Sequence, residues 1–292
     1  MKITHAELLE IISLPMLIYD YVNKFKLDKN QTIEGFMGGA QSDISSLGLT
    51  PERQEALNNI LKYAPQGKVI KFFSDDHTDL QAAVTLSVTK KRITIVFRGS
   101  ESMSDWYYDL QFRKTNLHDN VYVHRGFHNQ LHINNNYDKI RDCVSELLKQ
   151  YGDYEVVVTG HSLGAALSTL FGYELSREIG NKITVVSFAS PRVGDSEWRK
   201  AFDAKTNLVH YRVSNNRDIV TAAPMIWYQH VGINIHLLPT LYEIFEKYSY
   251  NTWWQYSLFN CWSVSDHNID LYYTNLKNNP WKNEATITTN KQ

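Results

Sequence analysis

Short, unbroken apolar runs alternate with longer segments of helical periodicity through the middle of the chain. Valine and isoleucine dominate the runs, which is typical of strands buried on both faces of a sheet. They predict strands at 69–73, 81–88, 92–97, 156–158, 183–188 and 208–213. Between two of these runs, apolar residues recur at helical spacing as Tyr137, Ile140, Val144 and Leu147. Because strand and helix alternate from residue 92 to 213, we expect a mainly parallel central sheet with helices on both faces.

Helices are predicted ahead of the first strand, within residues 4–64. Thr4 and Glu7 form a capping-box pattern before an apolar stripe, and Pro15 is expected to kink or restart that helix. Thr50-Pro51-Glu52 predicts a second helix start. The apolar stripe could lie on a membrane surface or pack on its own domain. Its polar face carries no basic cluster, which favours packing in the core.

Length and composition favour one domain over residues 1–292. No linker, charge block or repeat divides the chain, and 35–48 reads as a connecting loop. Lys+Arg 30 against Asp+Glu 31 gives a formal net charge of −1, so a nucleic-acid partner is not expected and a neutral or apolar substrate fits better. The two cysteines, Cys143 and Cys261, show no metal-binding spacing and are expected to be reduced, buried thiols.

Neither an export signal nor a membrane span is predicted. The apolar segment from Leu8 to Tyr19 is interrupted by Glu10 and Pro15, and no small-residue cleavage site follows it. No run approaches the roughly 18 apolar residues that a span needs. We therefore expect a cytoplasmic protein, or one peripheral to membranes.

The motif Gly160-His161-Ser162-Leu163-Gly164 lies between the valine run 156–158 and a helix rich in small residues. A G-x-S-x-G motif between strand and helix predicts a nucleophile elbow, in which a sharp turn exposes the serine hydroxyl. The residues two before and two after the serine must be small, because a Cβ there would collide with the turn. Gly160 and Gly164 meet that requirement.

An activated serine needs a base and a carboxylate that orients the base, and in α/β-hydrolases these follow in the order Ser, Asp/Glu, His. Asp218 is the best-placed acid because it follows the carboxyl end of a predicted strand. Asp195, in a turn, and Asp203, on a predicted helix, remain alternatives.

Three histidines after Ser162 could serve as the base. His267 lies in a polar loop after the last apolar block, where its imidazole could reach the elbow. His230 and His236 flank a strand-like segment, 231–235, and could be ordinary sheet residues. The order of the three groups is satisfied by all of them, so position favours His267 without excluding the others.

Backbone N–H groups must stabilise the oxyanion that forms during acyl transfer. Leu163, the residue after the nucleophile, is one expected donor. A second donor is expected from the loop that ends the 92–97 strand, where Gly99 allows a turn and Ser100 offers both its N–H and its hydroxyl. Arg98 in that loop is expected to form a structural ion pair.

Several blocks of sequence occur together in the order typical of one family. They are IVFRGSESMSDWYYDL (95–110), VHRGFH (123–128), VVVTGHSLGAAL (156–167), SFASPRVGD (187–195), YRVSNNRDIVTAAP (211–224), YQHVG (228–232) and DHNIDLY (266–272). The chain resembles the class 3 lipases, the fungal triacylglycerol lipase-like branch of the α/β-hydrolases. The likeness covers residues 69 to 272. It implies an α/β-hydrolase fold and a serine esterase that cleaves acyl-glycerols or related lipid esters without a metal or organic cofactor.

The resemblance also implies individual roles. Ser162 is the expected nucleophile, Asp218 the acid, His267 the base and Ser100 the oxyanion-hole residue, while His230 matches a non-catalytic histidine of the family. Residues 101–112 are placed like the helical lid of family lipases. The aromatic-rich insertion 238–265 departs from the pattern and could form a cap, a lipid-facing surface or a packed helical insertion. A phospholipase A-type esterase and a non-catalytic lipase-like binding protein remain alternatives.

Overall fold

A mixed sheet runs through the centre of the protein in the computed structural model, which describes residues 3–21, 48–63, 67–100, 113–245 and 263–280. Its spatial order is β1-β2-β3-β6-β7-β8-β9-β10. A separate hairpin pairs β4 with β5. In chain order the strands are β1 (Lys68–Asp75), β2 (Leu80–Ser87), β3 (Arg92–Phe97), β4 (Lys114–His118), β5 (Val121–His124), β6 (Glu155–His161), β7 (Ile183–Phe188), β8 (Leu208–Asn215), β9 (Ile233–Leu237) and β10 (Tyr242–Phe245).

The mainly parallel sheet predicted from the sequence is confirmed. Strands β3, β6, β7, β8 and β9 pair in parallel, while β1, β2 and β10 pair antiparallel at the two edges. Val88, expected at the end of a strand, lies exposed in the turn between β2 and β3. The strand expected at 231–235 is shifted by two residues. Residues 242–245 form an edge strand, so this part of the insertion is not helical, and 246–262 lie outside the described residues.

Two layers of helices cover the sheet. The helices are α1 (His5–Asp20), α2 (Pro51–Tyr63), α3 (Arg125–His132), α4 (Asn136–Gln150), α5 (Leu163–Glu178), α6 (Ser196–Asp203) and α7 (Ile269–Asn278). Alternate residues of β6 serve opposite faces, as the pleat of a strand requires. Val157 packs in a core with α1, α2 and α7, whereas Val156 and Val158 pack with α3 to α6. None of the helices in the described ranges is long and apolar enough to cross a bilayer.

Helix α1 packs on the sheet rather than standing free. The capping box between Thr4 and Glu7 is present as predicted. The helix continues through Pro15 as one element, so the restart allowed for at this proline does not occur. A proline inside a helix costs about 3 kcal/mol, and burial of the apolar face against the sheet offsets that cost. The apolar stripe therefore belongs to the core.

A buried arginine ties α1 to the start of two strands. Arg92, at the beginning of β3, contacts Glu7 at 3.2 Å and Glu10 at 3.4 Å on α1, and Glu155 on β6 at 3.3 Å. Arg92 and Glu10 are both buried. A buried guanidinium is tolerated only when carboxylates satisfy it, so these contacts fix the position of α1 over β3 and β6.

Two buried histidines are expected to make the stability of the fold depend on pH. Burial, reinforced by the charge of Arg212, lowers the pKa of His210 to about 3 and that of His236 to about 4. In the unfolded chain a histidine has a pKa of about 6.5. Below that pH the unfolded state binds more protons than the folded state, so stability is lost as the pH falls.

We expect each of these histidines to lower the free energy of unfolding by about 2 kcal/mol between pH 7.5 and pH 5. Urea denaturation at the two pH values measures the change. A His236→Gln variant should lose its own share of the pH dependence, while His210 and the other buried histidines with lowered pKa values keep the rest. Equal pH dependence in the variant and the parent chain would contradict this account.

Candidate active site

The serine of the G-x-S-x-G motif adopts the sharp turn predicted for it. Strand β6 ends at His161, Ser162 has φ 59° and ψ −123°, and α5 begins at Leu163. A non-glycine residue in this region of φ and ψ costs of order 1–3 kcal/mol. Hydrogen bonds hold it there: the Ser162 N–H donates to Phe188 O at 3.0 Å, and its C=O accepts from Ala165 N at 3.0 Å.

Close backbone contacts explain the glycines around this turn. A Cβ on Gly160 would collide with the backbone of Gly164, and one on Gly164 would collide with the end of β3 at Phe97 and Arg98. On the neighbouring strand end, a Cβ on Gly99 would lie 3.3 Å from the Cβ of Ser162 and would collide with the Tyr19 hydroxyl. The elbow is therefore pressed against the loop that leads to Ser100.

Asp218 and His267 are hydrogen-bonded to each other. Asp218 follows β8 and is completely buried, and His267 ends a short 3₁₀ turn, Ser265–His267. The His267 Nδ1 atom lies 2.9 Å from Oδ2 and 3.0 Å from Oδ1 of Asp218. A carboxylate can only accept, so Nδ1 carries the hydrogen and Nε2 is left with its lone pair in the neutral ring. Within the described part of the chain, the buried Nε2 makes no hydrogen bond, including none to Ser162.

The other acid candidates have structural partners. Asp195 caps α6 and accepts from the N–H groups of Glu197 and Trp198, both at 3.1 Å. Asp203 is the exposed last residue of α6. The structure therefore places neither of them with His267, and Asp218 alone of the three contacts that ring.

The other base candidates also lie in structural positions. His230 Nε2 is 2.7 Å from the carbonyl oxygen of Thr221, and His236 Nδ1 is 3.0 Å from Ser214 Oγ. Burial lowers the pKa of His230 well below its usual value, and the nearby charges of Arg212 and Arg192 act in the same direction. Both rings are thus kept neutral inside the fold, and neither is bonded to Asp218.

Tyr272 is a residue of the site to which the sequence assigned no role. Its hydroxyl donates to Asp218 Oδ2 at 2.6 Å and accepts from the Asn215 N–H at 3.0 Å. Burial, and then the charge of Asp218, raise its pKa well above the usual value, so the hydroxyl keeps its proton. The Val220 N–H donates to Asp218 Oδ1 at 2.9 Å. The carboxylate is thus fixed on both oxygens. The only sequence signal was the tyrosine at the end of the block 266–272.

His161 connects the elbow to the turn that carries His267. Its Nε2 lies 2.9 Å from the carbonyl oxygen of His267, which can only accept, so Nε2 must be the donor. Burial and the neighbouring His267 lower the pKa of His161 well below its usual value, and the ring is neutral. Its Nδ1 then accepts from the Tyr19 hydroxyl at 3.2 Å. The G-x-S-x-G strand, the His267 turn and α1 are therefore joined by two hydrogen bonds.

Ser100 and Leu163, the two predicted oxyanion donors, line the same pocket, which has a volume of about 350 Å³. Leu163 is the first residue of α5, where N–H groups have no partner in the helix and the helix dipole is positive.

Arg98 contacts Asp79 at 3.0 Å, as expected of a structural ion pair. Residues 101–112, predicted as a lid, lie outside the described residues, as does Cys261. Cys143 is buried, as expected.

Metal ligation has no visible basis in this part of the molecule. Among the described residues, no group of three or more His, Cys, Asp or Glu side chains is arranged to hold an ion. Such an arrangement can activate a hydroxyl by proton transfer, because it combines a hydroxyl on a sharp turn, a histidine with one nitrogen bound to a carboxylate, and N–H groups at a helix start.

The fold and this site define an α/β-hydrolase. The sequence profile of the lipase (class 3) family matches residues 94–227, which confirms the resemblance to that family predicted from the sequence. The chain is 33% identical to phospholipase A1-IIgamma of Arabidopsis thaliana over 183 residues, and this match covers 53% of this chain and 43% of the relative. It is 35% identical to a lipase of Rhizomucor miehei over 167 residues, and this match covers 54% of this chain and 44% of the relative.

Solved structures agree over a larger share of the chain. The crystal structure of a lipase from Rhizopus microsporus var. chinensis matches with a TM-score of 0.70 and 25% identity, covering 91% of this chain and 87% of that one. The chain spans about half the length of the curated relatives it matches. The predicted α/β-hydrolase fold class is thereby confirmed.

Proposed function

We propose that this chain is a serine carboxylester hydrolase, a lipase that cleaves acyl-glycerols or related lipid esters. The observation that carries the proposal is the buried hydrogen bond between Asp218 and His267 beside the strained Ser162 turn. It leaves His267 Nε2 as a proton acceptor on the side of the ring away from Asp218.

In the proposed reaction, His267 Nε2 takes the proton of Ser162 as its Oγ attacks the ester carbonyl. The N–H groups of Leu163 and Ser100 stabilise the oxyanion, which is usually the largest catalytic contribution. His267 then protonates the leaving alkoxide, and water releases the fatty acid from the acyl-enzyme. Asp218 holds the imidazolium that forms, and Tyr272 holds Asp218. The hydrogen bond between Ser162 and His267 is expected to form in the substrate complex, as catalytic contacts often do.

The experiment that tests this function is an ester panel with the purified chain. p-Nitrophenyl butyrate, trioleoylglycerol, dioleoylglycerol and dioleoylphosphatidylcholine are compared in the same detergent. Hydrolysis of the soluble butyrate ester is the expected minimum result. Binding of lipid without hydrolysis of any ester would instead support the alternative of a non-catalytic lipase-like protein, and hydrolysis confined to the phospholipid would support a phospholipase A.

Contact with a lipid surface is a second part of the proposal. Apolar side chains stay exposed beside the two turns of the site: Ile226 is 56% exposed, Trp227 73% and Val264 63%. The first two follow the 3₁₀ turn Ile219–Ala222, which Asp218 caps, and Val264 directly precedes the turn that carries His267. Tryptophan is favoured where apolar lipid meets water.

Replacing Trp227 is expected to weaken adsorption to a lipid surface. Trp227→Asn keeps a residue that tolerates the observed φ of 62° but removes the apolar ring. Burying such a ring contributes about 1.5–3 kcal/mol, so adsorption to trioleoylglycerol emulsions should fall at least about tenfold. Val88→Ser, at the opposite end of the sheet, is the control and should adsorb like the parent. Equal adsorption of all three proteins would refute the contact.

A further inference from the structure

The pocket beside the two oxyanion donors is lined mainly by polar side chains. Ser100 and Leu163 form one side of it, and the turn between β1 and β2 forms another through His77, Thr78 and Asp79. Helix α3 contributes Asn129 and Gln130. Its volume of about 350 Å³ is large enough for a glycerol or hexose unit. An acyl chain seated here would displace water from these polar groups without replacing its hydrogen bonds.

The wall made by the β1–β2 turn is held in place by hydrogen bonds. Asn136, at the start of α4, donates through its side-chain nitrogen to Asp75 Oδ2 at 2.7 Å and to Thr78 Oγ1 at 3.2 Å. Asn134 also donates to Asp75, at 3.0 Å. Because Thr78 accepts in this arrangement, its O–H remains able to donate toward a ligand. The pocket therefore has a prepared polar wall.

The charges of the pocket disfavour a phosphate. Among the described residues that line the pocket, Asp79 is the only carboxylate and none is a lysine or an arginine. The guanidinium of Arg98 donates to Asp79 at 3.0 Å. Phosphate accepts hydrogen bonds only and is usually bound by cationic donors. Amide, hydroxyl and imidazole groups both donate and accept, which matches the hydroxyls of an uncharged polyol.

We propose that this pocket binds the uncharged, hydroxyl-bearing headgroup of the lipid, either glycerol or a sugar, and disfavours phospholipids. The inference rests on the proposed function, because the pocket adjoins the oxyanion donors assigned there. It narrows the substrate class to neutral glycerolipids and gives Gln130 and Asn129 the role of recognising hydroxyl groups.

The test compares lipids that share their acyl chains and differ in the headgroup. Dioleoylglycerol, galactosyl dioleoylglycerol and dioleoylphosphatidylcholine are presented in identical mixed micelles, with p-nitrophenyl butyrate as an ester that has no headgroup. The parent chain is expected to give a higher kcat/KM with one or both neutral lipids than with the phospholipid. The two neutral lipids distinguish a glycerol site from a sugar site.

Variants of Gln130 connect the preference to the pocket. Gln130→Leu removes a hydrogen-bond donor and an acceptor at nearly constant side-chain volume. We expect kcat/KM for the preferred neutral lipid, divided by kcat/KM for butyrate, to fall about tenfold. Gln130→Lys should raise the phospholipid-to-neutral ratio by a similar factor. Gln150→Leu, the same change at the far end of α4, is the control and should keep the parental ratios.

Each outcome separates the inference from the proposed function. A parent chain that hydrolyses butyrate but prefers phosphatidylcholine, or Gln130 variants with parental ratios, would overturn the headgroup assignment and leave the esterase intact. A Gln130→Leu variant that loses both rates in parallel would also overturn it. A parent chain that hydrolyses no ester would refute the proposed function itself.

Discussion

Replacing Ser162 by alanine is expected to lower kcat for p-nitrophenyl butyrate by about 10⁴-fold or more, to the level set by binding and the oxyanion donors alone. The reason is that Ser162 carries the only hydroxyl at the tip of the β6–α5 turn, where its φ is 59°. The measurement is steady-state hydrolysis by folded protein, checked by circular dichroism.

Ser168→Ala is a matched control for this variant. Ser168 is buried six positions further along, on the helix α5 that follows Ser162, and its hydroxyl donates to Ala165 O at 2.8 Å. Losing that bond should lower the free energy of unfolding by about 1 kcal/mol and leave turnover near the parental value. If Ser162→Ala kept a tenth or more of the parental kcat, Ser162 could not be the nucleophile.

Replacing Asp218 by asparagine is expected to lower kcat by about 10⁴-fold while the fold is retained. In the parent chain, His267 Nδ1 carries the ring hydrogen and donates it to Asp218. In the variant, the asparagine amide N–H would donate to Nδ1 instead, and the ring hydrogen would be forced onto Nε2. A ring protonated at Nε2 cannot take the proton of Ser162. The pH profile and kcat of the variant provide the measurement.

The control for Asp218 is the rival carboxylate that the sequence left open. Asp195 caps α6, and asparagine is an equally good cap, so Asp195→Asn should alter neither stability nor turnover appreciably. The outcome that would contradict the assignment is a large loss in Asp195→Asn together with near-parental activity in Asp218→Asn.

Local patterns were sufficient to predict most of the sheet and the elbow. The valine run before Gly160 and the small residues after Ser162 specify a buried strand, a tight turn and a closely packed helix, because few other backbones fit those residues. Boundaries were less certain where exposed residues have strand propensity: Val88 was placed in β2 and lies in a turn. At Pro15 the local rule allowed for a restart of the helix, but tertiary packing kept α1 continuous.

Contacts between residues that lie far apart in the sequence could not be predicted from hydrophobic periodicity. The order of the residues allowed three histidines as the base. Loop position favoured His267 over His230 and His236, and the resemblance then singled it out. The structure brings His267 to Asp218 because the turn at Ser265–His267 is paired beside the end of β8, with Asp218 bridged to Ser263. Tyr272 and His161 were not assigned because their partners, Asp218 and the His267 carbonyl, lie 54 and 106 residues away in sequence.

A fluorophosphonate that reacts only with activated serines tests the central claim most directly. Intact-mass spectrometry followed by peptide mapping identifies the modified residue. We predict one adduct per chain, on Ser162, that forms rapidly in the parent protein, slowly in His267→Ala and not at all in Ser162→Ala. An adduct on a different serine would contradict the account. So would ester hydrolysis by a chain whose Ser162 is left unmodified by the probe and can be replaced without loss of activity.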